Sequence, residues 1–279
     1  MDKVWSTVTP RSLTDRYARL LFVDYSSAFN TIIPKKLFDK LQAFSLTPSI
    51  CFWLLDFLLH CPQVVSVDGN TSKTLALSTG APQGCVLSPL LYCLFTNDCV
   101  SSHDSVQVVK FADDTTVEGI VSEGDESAYR LEVERLVSWC ADNNLELNTA
   151  KTKEIVVDFR RNSAPKDPLI INGEAIETVD SFQVLGTIIS DSLSWDNNRD
   201  TILKRTHQRL YFLRQLKKIG LSRHILLQFY RCVIESVLTF SVFVWYGSAS
   251  QQEKDRLECH THGQQNRRQR SPFLGFYIS

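Results

Sequence analysis

The chain has 279 residues, of which 43% are hydrophobic and 22% are charged, and its formal net charge is −1. A chain of this length and composition can bury a substantial core and does not resemble a disordered protein. Because the net charge is close to zero, no global field attracts nucleic acid, and any basic surface has to be local. The eight cysteines form no C-x-x-C pair, which favours reduced thiols in an intracellular protein over a disulfide or zinc framework.

Neither a secretory signal nor a membrane span is predicted. The N-terminal sequence has no cationic segment followed by a long apolar one. Two apolar stretches, 49–61 and 225–247, raise the question of a membrane helix. The first is too short and contains Asp56, and the second contains Arg231 and Glu235, so the sequence predicts no membrane insertion.

The first predicted elements are a buried strand and two helices. The apolar run 19-RLLFVD-24 predicts a strand that ends on an acid. Proline at a first helical position predicts helices over 34–44 and over about 48–60. The apolar face of the first helix would consist of Leu37, Leu41 and Phe44.

A hairpin, a third helix and a second hairpin follow. Residues 63–78 predict a hairpin that turns at Asp68-Gly69-Asn70. Ser88-Pro89 predicts the N-cap and first turn of an apolar helix. The next predicted elements are a strand at 106–111, a tight turn, a strand at 115–121 and an amphipathic helix over about 125–143.

The rest of the chain changes from strands to helices. Residues 153–159 predict a strand and 182–190 a strand pair, whereas about 198–246 are helical with a break at Gly220. Strands in hairpins interleaved with helices indicate an α+β fold, in which helices pack on an antiparallel sheet. No G-x-G-x-x-G or P-loop pattern is present, so nucleotide binding of those kinds is not predicted.

Asp113 and Asp114 are adjacent carboxylates at the tip of the second hairpin. Two ionised carboxylates about 4 Å apart repel by a few kcal/mol at surface-like dielectric, so a cation nearby would stabilise them. Asp24 ends a strand that can lie beside this hairpin, and three acids at strand ends form an oxygen-rich site that suits Mg²⁺. Two ions about 3.5–4 Å apart would activate a hydroxyl for phosphoryl displacement. The alternative is a solvated turn, because Asp is common in turns.

Four blocks of sequence occur in an order typical of one family of polymerases. An acid block, 21-LFVDYSSAFNTI-32, precedes a P-Q-G block, 80-GAPQGCVLSPLLY-92, and the acid pair in 111-FADD-114. A lysine-bearing strand and a hairpin follow at 144-NLELNTAKTKEIVVDF-159 and 182-FQVLG-186. Over residues 13–258 the chain resembles the reverse transcriptase of non-LTR (LINE-type) retrotransposons. One FADD is a weak signal, but four blocks with ordered spacing are a strong one.

The resemblance implies a right-hand polymerase palm followed by a helical, thumb-like segment. It implies that Asp24, Asp113 and Asp114 bind two Mg²⁺ ions and catalyse nucleotidyl transfer onto a primer 3′-hydroxyl. The Tyr25 carbonyl would be a further ligand. The implied activity is that of an RNA-directed DNA polymerase, whose partners are an RNA template, a DNA primer and deoxynucleoside triphosphates, with no organic cofactor.

The resemblance also assigns residues that contact the nucleotide. Phe29 matches the bulky residue that excludes a ribose 2′-hydroxyl, although an ordinary core Phe is the simpler interpretation. Gln83 and Gly84 match the loop under the incoming nucleotide and template base, although a strand-to-helix turn also suits Gly84. Lys151 matches a lysine proposed to protonate the pyrophosphate, with Lys153 as the competing candidate.

Template–primer contacts are assigned to a hairpin and to basic helices. Leu185 and Gly186 would shape the primer-contacting hairpin, or only a tight turn. Between Thr201 and Ile234 there are eight Lys or Arg and no acid. Such a helix is often a solvated face or a membrane-surface helix, but beside a palm it is interpreted as a thumb that holds phosphates. The side chains assigned to this contact are Lys204, Arg205, Arg214, Lys217 and Lys218.

The resemblance divides the chain into an N-terminal remnant at 1–16, a palm at 17–190, a partial thumb at 191–258 and an irregular tail at 259–279. Few residues precede Asp24, so the fingers region of the family is expected to be largely absent. In the tail, Cys259, His260 and His262 have no second ligand pair, so zinc is not predicted. The alternative functions are a catalytically inactive mobile-element remnant and a module that only binds nucleic acid.

Overall fold

The computed structural model describes residues 16–59, 61–160 and 165–246, which form two compact units. The first unit ends at Asp180 and the second begins at Ser181, so the hairpin 181–190 groups with the helices that follow it and not with the predicted palm. Nearly all of the predicted N-terminal remnant, the predicted tail and the cysteine and histidines in it lie outside the described residues. The division into palm and thumb stays a prediction.

The strands are numbered in chain order. They are β1 (Arg16–Val23), β2 (Cys61–Gln63), β3 (Ser66–Val67), β4 (Asn70–Thr71), β5 (Leu75–Leu77), β6 (Val106–Phe111), β7 (Asp114–Ser122), β8 (Lys153–Asp158), β9 (Ile170–Ile171), β10 (Glu174–Ala175), β11 (Glu177–Thr178), β12 (Ser181–Val184) and β13 (Thr187–Ser190).

The helices are numbered in the same way. They are α1 (Pro34–Ala43), α2 (Pro48–Leu58), α3 (Leu87–Phe95), α4 (Ser127–Asp142), α5 (Asp196–Lys218), α6 (Arg223–Phe229), α7 (Ser236–Leu238) and α8 (Val242–Trp245). A 3₁₀ turn occupies Ala28–Asn30, and a π-helical segment connects α6 to α7 over Tyr230–Glu235.

A five-stranded sheet in the order β11-β8-β1-β7-β6 forms the centre of the first unit. β1 pairs antiparallel with both β7 and β8, and all of its residues after Arg16 are buried. One face of the sheet carries Leu21, Val23 and Val117, which share a core with residues of α1, α3 and α4. The predicted α+β arrangement, with helices packed on a mainly antiparallel sheet, is confirmed.

Two local predictions were wrong for identifiable reasons. Phe44 does not share the buried face of α1, because that helix ends at Ala43, and the Phe44 side chain is exposed. Ser88 is not the N-cap of α3, which begins one residue earlier at Leu87. The buried Ser88 hydroxyl instead donates to the Pro82 carbonyl at 2.5 Å. The side chain therefore binds the preceding loop and does not cap the helix.

A buried ionic network lies within the sheet of the first unit. The Arg19 guanidinium on β1 donates to both carboxylate oxygens of Glu154 on β8, at 2.9 and 2.7 Å, and to Glu126 at 2.6 Å. The Tyr129 hydroxyl on α4 donates to the same Glu154 carboxylate at 2.7 Å. The Arg19 and Glu154 side chains are almost completely buried. Every strong charge in this network therefore has a hydrogen-bonded partner, as buried charges require.

The second unit consists of the β12–β13 hairpin and the helices α5 to α8. The hairpin turns at Leu185 and Gly186, which both have positive φ, as a type I′ turn requires. The Ile188 N–H donates to Asn198 Oδ1 at 3.1 Å, which joins the hairpin to the start of α5. The core of this unit consists of Ile202, Leu210, Leu213, Ile234, Leu238 and Trp245.

One segment of the second unit, Arg223–Trp245, is long and apolar enough by composition to cross a membrane. It is the only such segment among the described residues. Helices of soluble proteins also pass this test, and the segment contains the charged side chains of Arg231 and Glu235. The absence of membrane insertion therefore stays a prediction from the sequence.

Candidate active site

Asp24 follows β1 directly, and its backbone is fixed by the loop that precedes β8. Its N–H donates to Thr152 Oγ1 at 3.2 Å, and its carbonyl accepts from the Asn148 N–H at 2.9 Å. β1 is buried between two neighbouring strands, so the position at which Asp24 leaves the sheet is set by the core. The side chain itself is 42% exposed and reaches solvent.

Asp113 and Asp114 lie at the tight turn between β6 and β7. Phe111 and Asp114 form the last strand pair, so the turn itself consists of Ala112 and Asp113. Ala112 has φ 52°, a left-handed conformation that a non-glycine residue adopts only when its surroundings enforce it. β1 and β7 pair up to Val23 and Thr115, so Asp24 and Asp114 are next in register.

The three carboxylates form one charged cluster. Partial burial raises the pKa of Asp114, and the negative charges of Asp113 and Asp24 raise this pKa further. Such an effect requires the three acids to lie within electrostatic reach of each other. The sequence prediction that Asp24 and the acid pair meet at adjacent strand ends agrees with this geometry.

These acids do not share one coordination point. Within the described ranges, no group of three or more His, Cys, Asp or Glu side chains is positioned to hold a metal ion. The donor chemistry nevertheless fits a hard divalent cation, since ionised carboxylates are the side-chain ligands that such cations prefer.

Lys151, and not Lys153, lies beside the acid cluster. The Lys151 ammonium is 4.0 Å from Asp24 Oδ2 and is 72% exposed. The Lys153 ammonium instead donates to Glu177 and to the Ala150 carbonyl, at 2.6 Å each. The geometry therefore favours Lys151 between the two lysines, and its catalytic role stays a prediction.

The loop that carries the P-Q-G sequence is tied to the segment that carries Phe29. The Ala81 N–H donates to the Phe29 carbonyl at 2.9 Å, and the Gly80 N–H to the Ile32 carbonyl at 2.7 Å. Gly80 has φ 88°, and a Cβ at this position would lie 2.9 Å from the Asn30 Cα. Only glycine fits here, because a side chain would meet backbone that cannot move aside.

Gln83 and Gly84 are both exposed at the end of this loop. The Gln83 side-chain amide donates to Asn30 Oδ1 at 3.2 Å, so it is oriented by the residue that follows Phe29. Gly84 has φ 82°, with open space where a Cβ would be. The positive φ explains why glycine occupies position 84, and the space beside its Cα is open.

One family model matches more than half of the chain. Residues 4–189 match the family model described as reverse transcriptase (RNA-dependent DNA polymerase). The chain belongs to the reverse transcriptase family. Residues 195–236 also match a model described as alkylated DNA repair protein alkB homolog 8, N-terminal, but this match covers too little of the chain to show membership.

Similar reverse transcriptases come from insect mobile elements. The chain is 23% identical to the RNA-directed DNA polymerase from mobile element jockey of Drosophila funebris, over 86% of this chain and 27% of that protein. It is 24% identical to the probable RNA-directed DNA polymerase from transposon BS of Drosophila melanogaster, over 87% of this chain and 28% of that protein. These relatives support the predicted resemblance to non-LTR (LINE-type) reverse transcriptases, and the chain spans about a quarter of their length.

Solved structures with a similar fold are telomerases. Telomerase from Candida tropicalis in complex with a TWJ fragment of telomeric RNA has a TM-score of 0.53 at 11% identity, over 99% of this chain and 44% of that chain. Apo telomerase from the same organism has a TM-score of 0.53 at 12% identity, over 94% of this chain and 49% of that chain. At these identities the likeness shows the fold alone, and that fold is the predicted polymerase fold.

Tyr25 contributes its side chain to the core of the reverse transcriptase domain. Its hydroxyl donates to Thr115 Oγ1 at 3.2 Å, and burial raises its pKa strongly. Tyr25 forms an isolated bridge with Leu147, but the hydrogen bonds of that bridge are made by the neighbouring residues. The Tyr25 carbonyl is therefore not used by this bridge, and its role as a ligand stays a prediction.

Tyr92 is a residue of this site that the sequence analysis missed. It is completely buried on α3, and its ring centroid is 5.1 Å from that of Phe29. Burial raises the pKa of its hydroxyl, and the charge of Asp113 raises it further. The hydroxyl has no hydrogen-bond partner in the part of the chain that the structure describes. Asn30 and Thr152 were also missed, because neither residue type signals a contact with Gln83 or Asp24.

The predicted template–primer residues of the reverse transcriptase lie in the second unit. Leu185 and Gly186 form the β12–β13 turn, and a Cβ on Gly186 would lie 3.0 Å from the Phe240 ring. The predicted cations of α5 are all exposed, away from its buried stripe, and are Lys204, Arg205, Arg214, Lys217 and Lys218. By contrast, Arg209 donates to the Val233 carbonyl at 2.5 Å, which links α5 to the π-helical segment.

Proposed function

We propose that this chain is the core of an RNA-directed DNA polymerase, which joins deoxynucleotides to the 3′-hydroxyl of a primer on an RNA template. The proposal rests on the cluster of Asp24, Asp113 and Asp114 at the adjacent ends of β1 and β7, with Lys151 beside it. Membership of the reverse transcriptase family supports this reaction class, as do relatives named as RNA-directed DNA polymerases.

Two Mg²⁺ ions are the proposed cofactors, and Asp24, Asp113 and Asp114 are their proposed ligands. Reverse transcriptases as a family use divalent metal ions. When bound, such ions activate the attacking hydroxyl and neutralise charge on the leaving pyrophosphate. Burial is the main cause of the raised pKa of Asp114, and the negative charges of Asp113 and Asp24 raise it further; a cation would relieve this second, repulsive contribution, which supports the assignment.

The other residues of the first unit are proposed to position the reactants. Lys151 would donate a proton to the leaving pyrophosphate, and its exposed ammonium is free to reach a substrate beside Asp24. Phe29 would exclude a ribose 2′-hydroxyl, with its ring supported by Tyr92. Gln83 and Gly84 would lie under the incoming nucleotide and the template base. Positioning of this kind contributes as much to phosphoryl transfer as the cofactor does.

The residues of the second unit are proposed to hold the template–primer. Leu185 and Gly186 would contact the primer strand through their tight turn. The exposed cations of α5 would bind backbone phosphates, which fixes the register of a duplex without reading its sequence.

Primer extension tests the proposed reaction. The full chain is mixed with a primer annealed to RNA, deoxynucleotides and Mg²⁺, and Asp113→Asn is compared with Asp104→Asn. Asp104 is an exposed acid just before β6, whereas Asp113 follows the other end of that strand. We expect Asp113→Asn to lower the rate by at least about 100-fold, the scale of losing one well-placed catalytic group, and Asp104→Asn to leave it unchanged.

The alternative functions give different results in the same assay. No extension by the unaltered chain at any concentration contradicts the proposal and favours an inactive remnant. Absence of extension together with salt-sensitive binding of template–primer favours a module that only binds nucleic acid. Extension that survives Asp113→Asn contradicts the assignment of the acid cluster.

A further inference from the structure

Helix α5 exposes two aromatic side chains among its cations. Tyr211 is 55% exposed and Phe212 is 58% exposed. Their ring centroids are 5.8 Å apart and the rings meet nearly edge to face, at 73°. Each ring restricts the other, so the pair forms a small apolar platform on the surface of the second unit.

The platform lies between cations on one side of the helix. Positions seven apart in a helix lie about two turns apart on nearly the same side. Lys204 and Lys218 are seven residues before and after Tyr211, and Arg205 is seven before Phe212. These five exposed side chains are called the outer face of α5. The inner face, which packs in the core, carries Asn198, Ile202, Thr206, Leu210 and Leu213.

The charge of this region specifies an anionic partner. The sequence from Thr201 to Ile234 has eight Lys or Arg and no Asp or Glu, in a chain whose net charge is −1. The two acids of α5, Asp196 and Asp200, lie in its first two turns and pair with Arg199, so no acid of the helix cancels the field of the cations that follow Thr201. Phosphate groups satisfy such cations, and a ring between them can stack on a base.

The same pattern argues against a membrane surface as the partner. A helix that lies on a membrane places its apolar residues on one face and its cations on the opposite face. In α5 the apolar face is already buried in the core of the unit, through Ile202, Leu210 and Leu213. Tyr211 and Phe212 share the outer face with the cations, so aromatic and phosphate contacts would occur together.

We propose that the outer face of α5 binds single-stranded nucleic acid, with Tyr211 and Phe212 stacked on unpaired bases and Lys204, Arg205 and Lys218 on the adjacent phosphates. In a duplex the bases stack on each other, so only an unpaired base offers its face to a ring. Every base has such a face, and the site therefore tolerates any sequence. This binding needs neither the acid cluster nor a nucleotide, so it extends the proposed polymerase function without depending on catalysis.

Fluorescence anisotropy with the full chain tests this site without divalent cation or nucleotide. The probes are a mixed-sequence single-stranded RNA and the same RNA annealed to its blunt-ended DNA complement. The ring variant is Tyr211→Leu with Phe212→Leu. Its matched control is Phe52→Leu, because Phe52 is 59% exposed, contacts another ring at 5.2 Å and lies on a helix without cations.

We expect the ring variant to lower affinity for single-stranded RNA about tenfold or more, from the loss of base stacking, and to leave duplex affinity unchanged. Its dependence on salt should stay that of the unaltered chain, since no charge is removed. Lys204→Gln with Lys218→Gln should weaken binding of both probes and lower the slope of log affinity against log salt concentration by roughly one to two. Phe52→Leu should leave the affinity for both probes unchanged.

A second ring variant distinguishes stacking from a structural role. Tyr211→Trp with Phe212→Trp retains aromatic faces and should bind single-stranded RNA at least as tightly as the unaltered chain. Unchanged single-strand affinity in the leucine variant would overturn the proposal, and so would equal losses on both probes. Ring-dependent binding to vesicles that contain phosphatidylserine, without an effect on RNA, would also overturn it. Failed primer extension with these binding results intact refutes only the polymerase proposal.

Discussion

Glu118 is a buried acid whose removal should stabilise the first unit at neutral and alkaline pH. It lies on β7 opposite Leu20 of β1 and Gln107 of β6, and it is 4% exposed. Its Oε1 atom has no hydrogen-bond partner among the residues that the structure describes. Burial alone raises its pKa from 4.5 to about 7. The substitution Glu118→Gln removes the charge while keeping the size and shape of the side chain.

The magnitude follows from the pKa shift. The folded protein binds this proton more tightly than the unfolded chain does, because the folded-state pKa is the higher one. The stability that Glu118 contributes is therefore fully present below pH 4.5 and is lost as the pH rises through about 7. At 1.36 kcal/mol per pKa unit, the shift corresponds to about 3 kcal/mol. Glu118→Gln should therefore gain about 2–3 kcal/mol over the unaltered chain between about pH 5 and pH 8.

Urea unfolding followed by tryptophan fluorescence, at about pH 5 and about pH 8, measures the free energy of unfolding of Glu118→Gln and of the unaltered chain. The matched control is Glu134→Gln, because Glu134 is exposed on α4. An unchanged m-value in Glu118→Gln would show that the surface exposed on unfolding is the same in variant and unaltered chain. Equal pH dependence in the unaltered chain and Glu118→Gln would refute the reasoning, as would the same gain in Glu134→Gln.

Two further substitutions test the packing of the same sheet. Arg19→Met leaves Glu154 buried without its cation and should lower the free energy of unfolding by about 3–5 kcal/mol, measured by urea titration; a loss within error of zero would contradict a buried ion pair. Gly119→Ala would place a Cβ 2.4 Å from the Tyr129 ring and should cost about 1–3 kcal/mol by thermal unfolding; an unchanged melting temperature would show that the ring moves aside freely.

The elements with strong local signals were predictable from sequence. Proline at residues 34 and 48 marks the starts of α1 and α2, where φ is already suited to a helix. The turn at Asp68 and Gly69 also occurs as predicted, and both residues have positive φ. Such features depend on residues close together in the chain, so composition and spacing determine them.

Contacts between residues that are far apart in the chain were harder to predict from the sequence. Asp24 and Asp114 could be expected to meet, because Asp24 follows the end of an apolar strand and Asp114 precedes the apolar part of a strand that can pair antiparallel with it. Arg19, in contrast, reads as one charge in an apolar run, and nothing local identifies Glu154, which is 135 residues away, as its partner. Tyr92 likewise reads as one apolar position of α3, and only the packed structure brings its ring to Phe29.

The choice between Lys151 and Lys153 shows the same limit. Their spacing in sequence places both near the start of β8, and residue type does not distinguish them. The distinction comes from Glu177 on β11, which pairs in parallel with β8 and takes the Lys153 ammonium. Strand pairing of this kind is a long-range property, so sequence alone left both lysines as candidates.

The hydrogen bonds from Gly80 and Ala81 to the Phe29 segment also limit how these sequences can be exchanged between relatives. A chimaera that replaces residues 80–85 alone would join a foreign loop to a backbone shaped for this one. The side chain of Asn30, which orients Gln83, would face the same mismatch. Transplanting residues 28–32 together with 80–85 keeps both hydrogen-bonded segments, so the proposed roles of Phe29 in sugar selection and of Gln83 in template contact should transfer together.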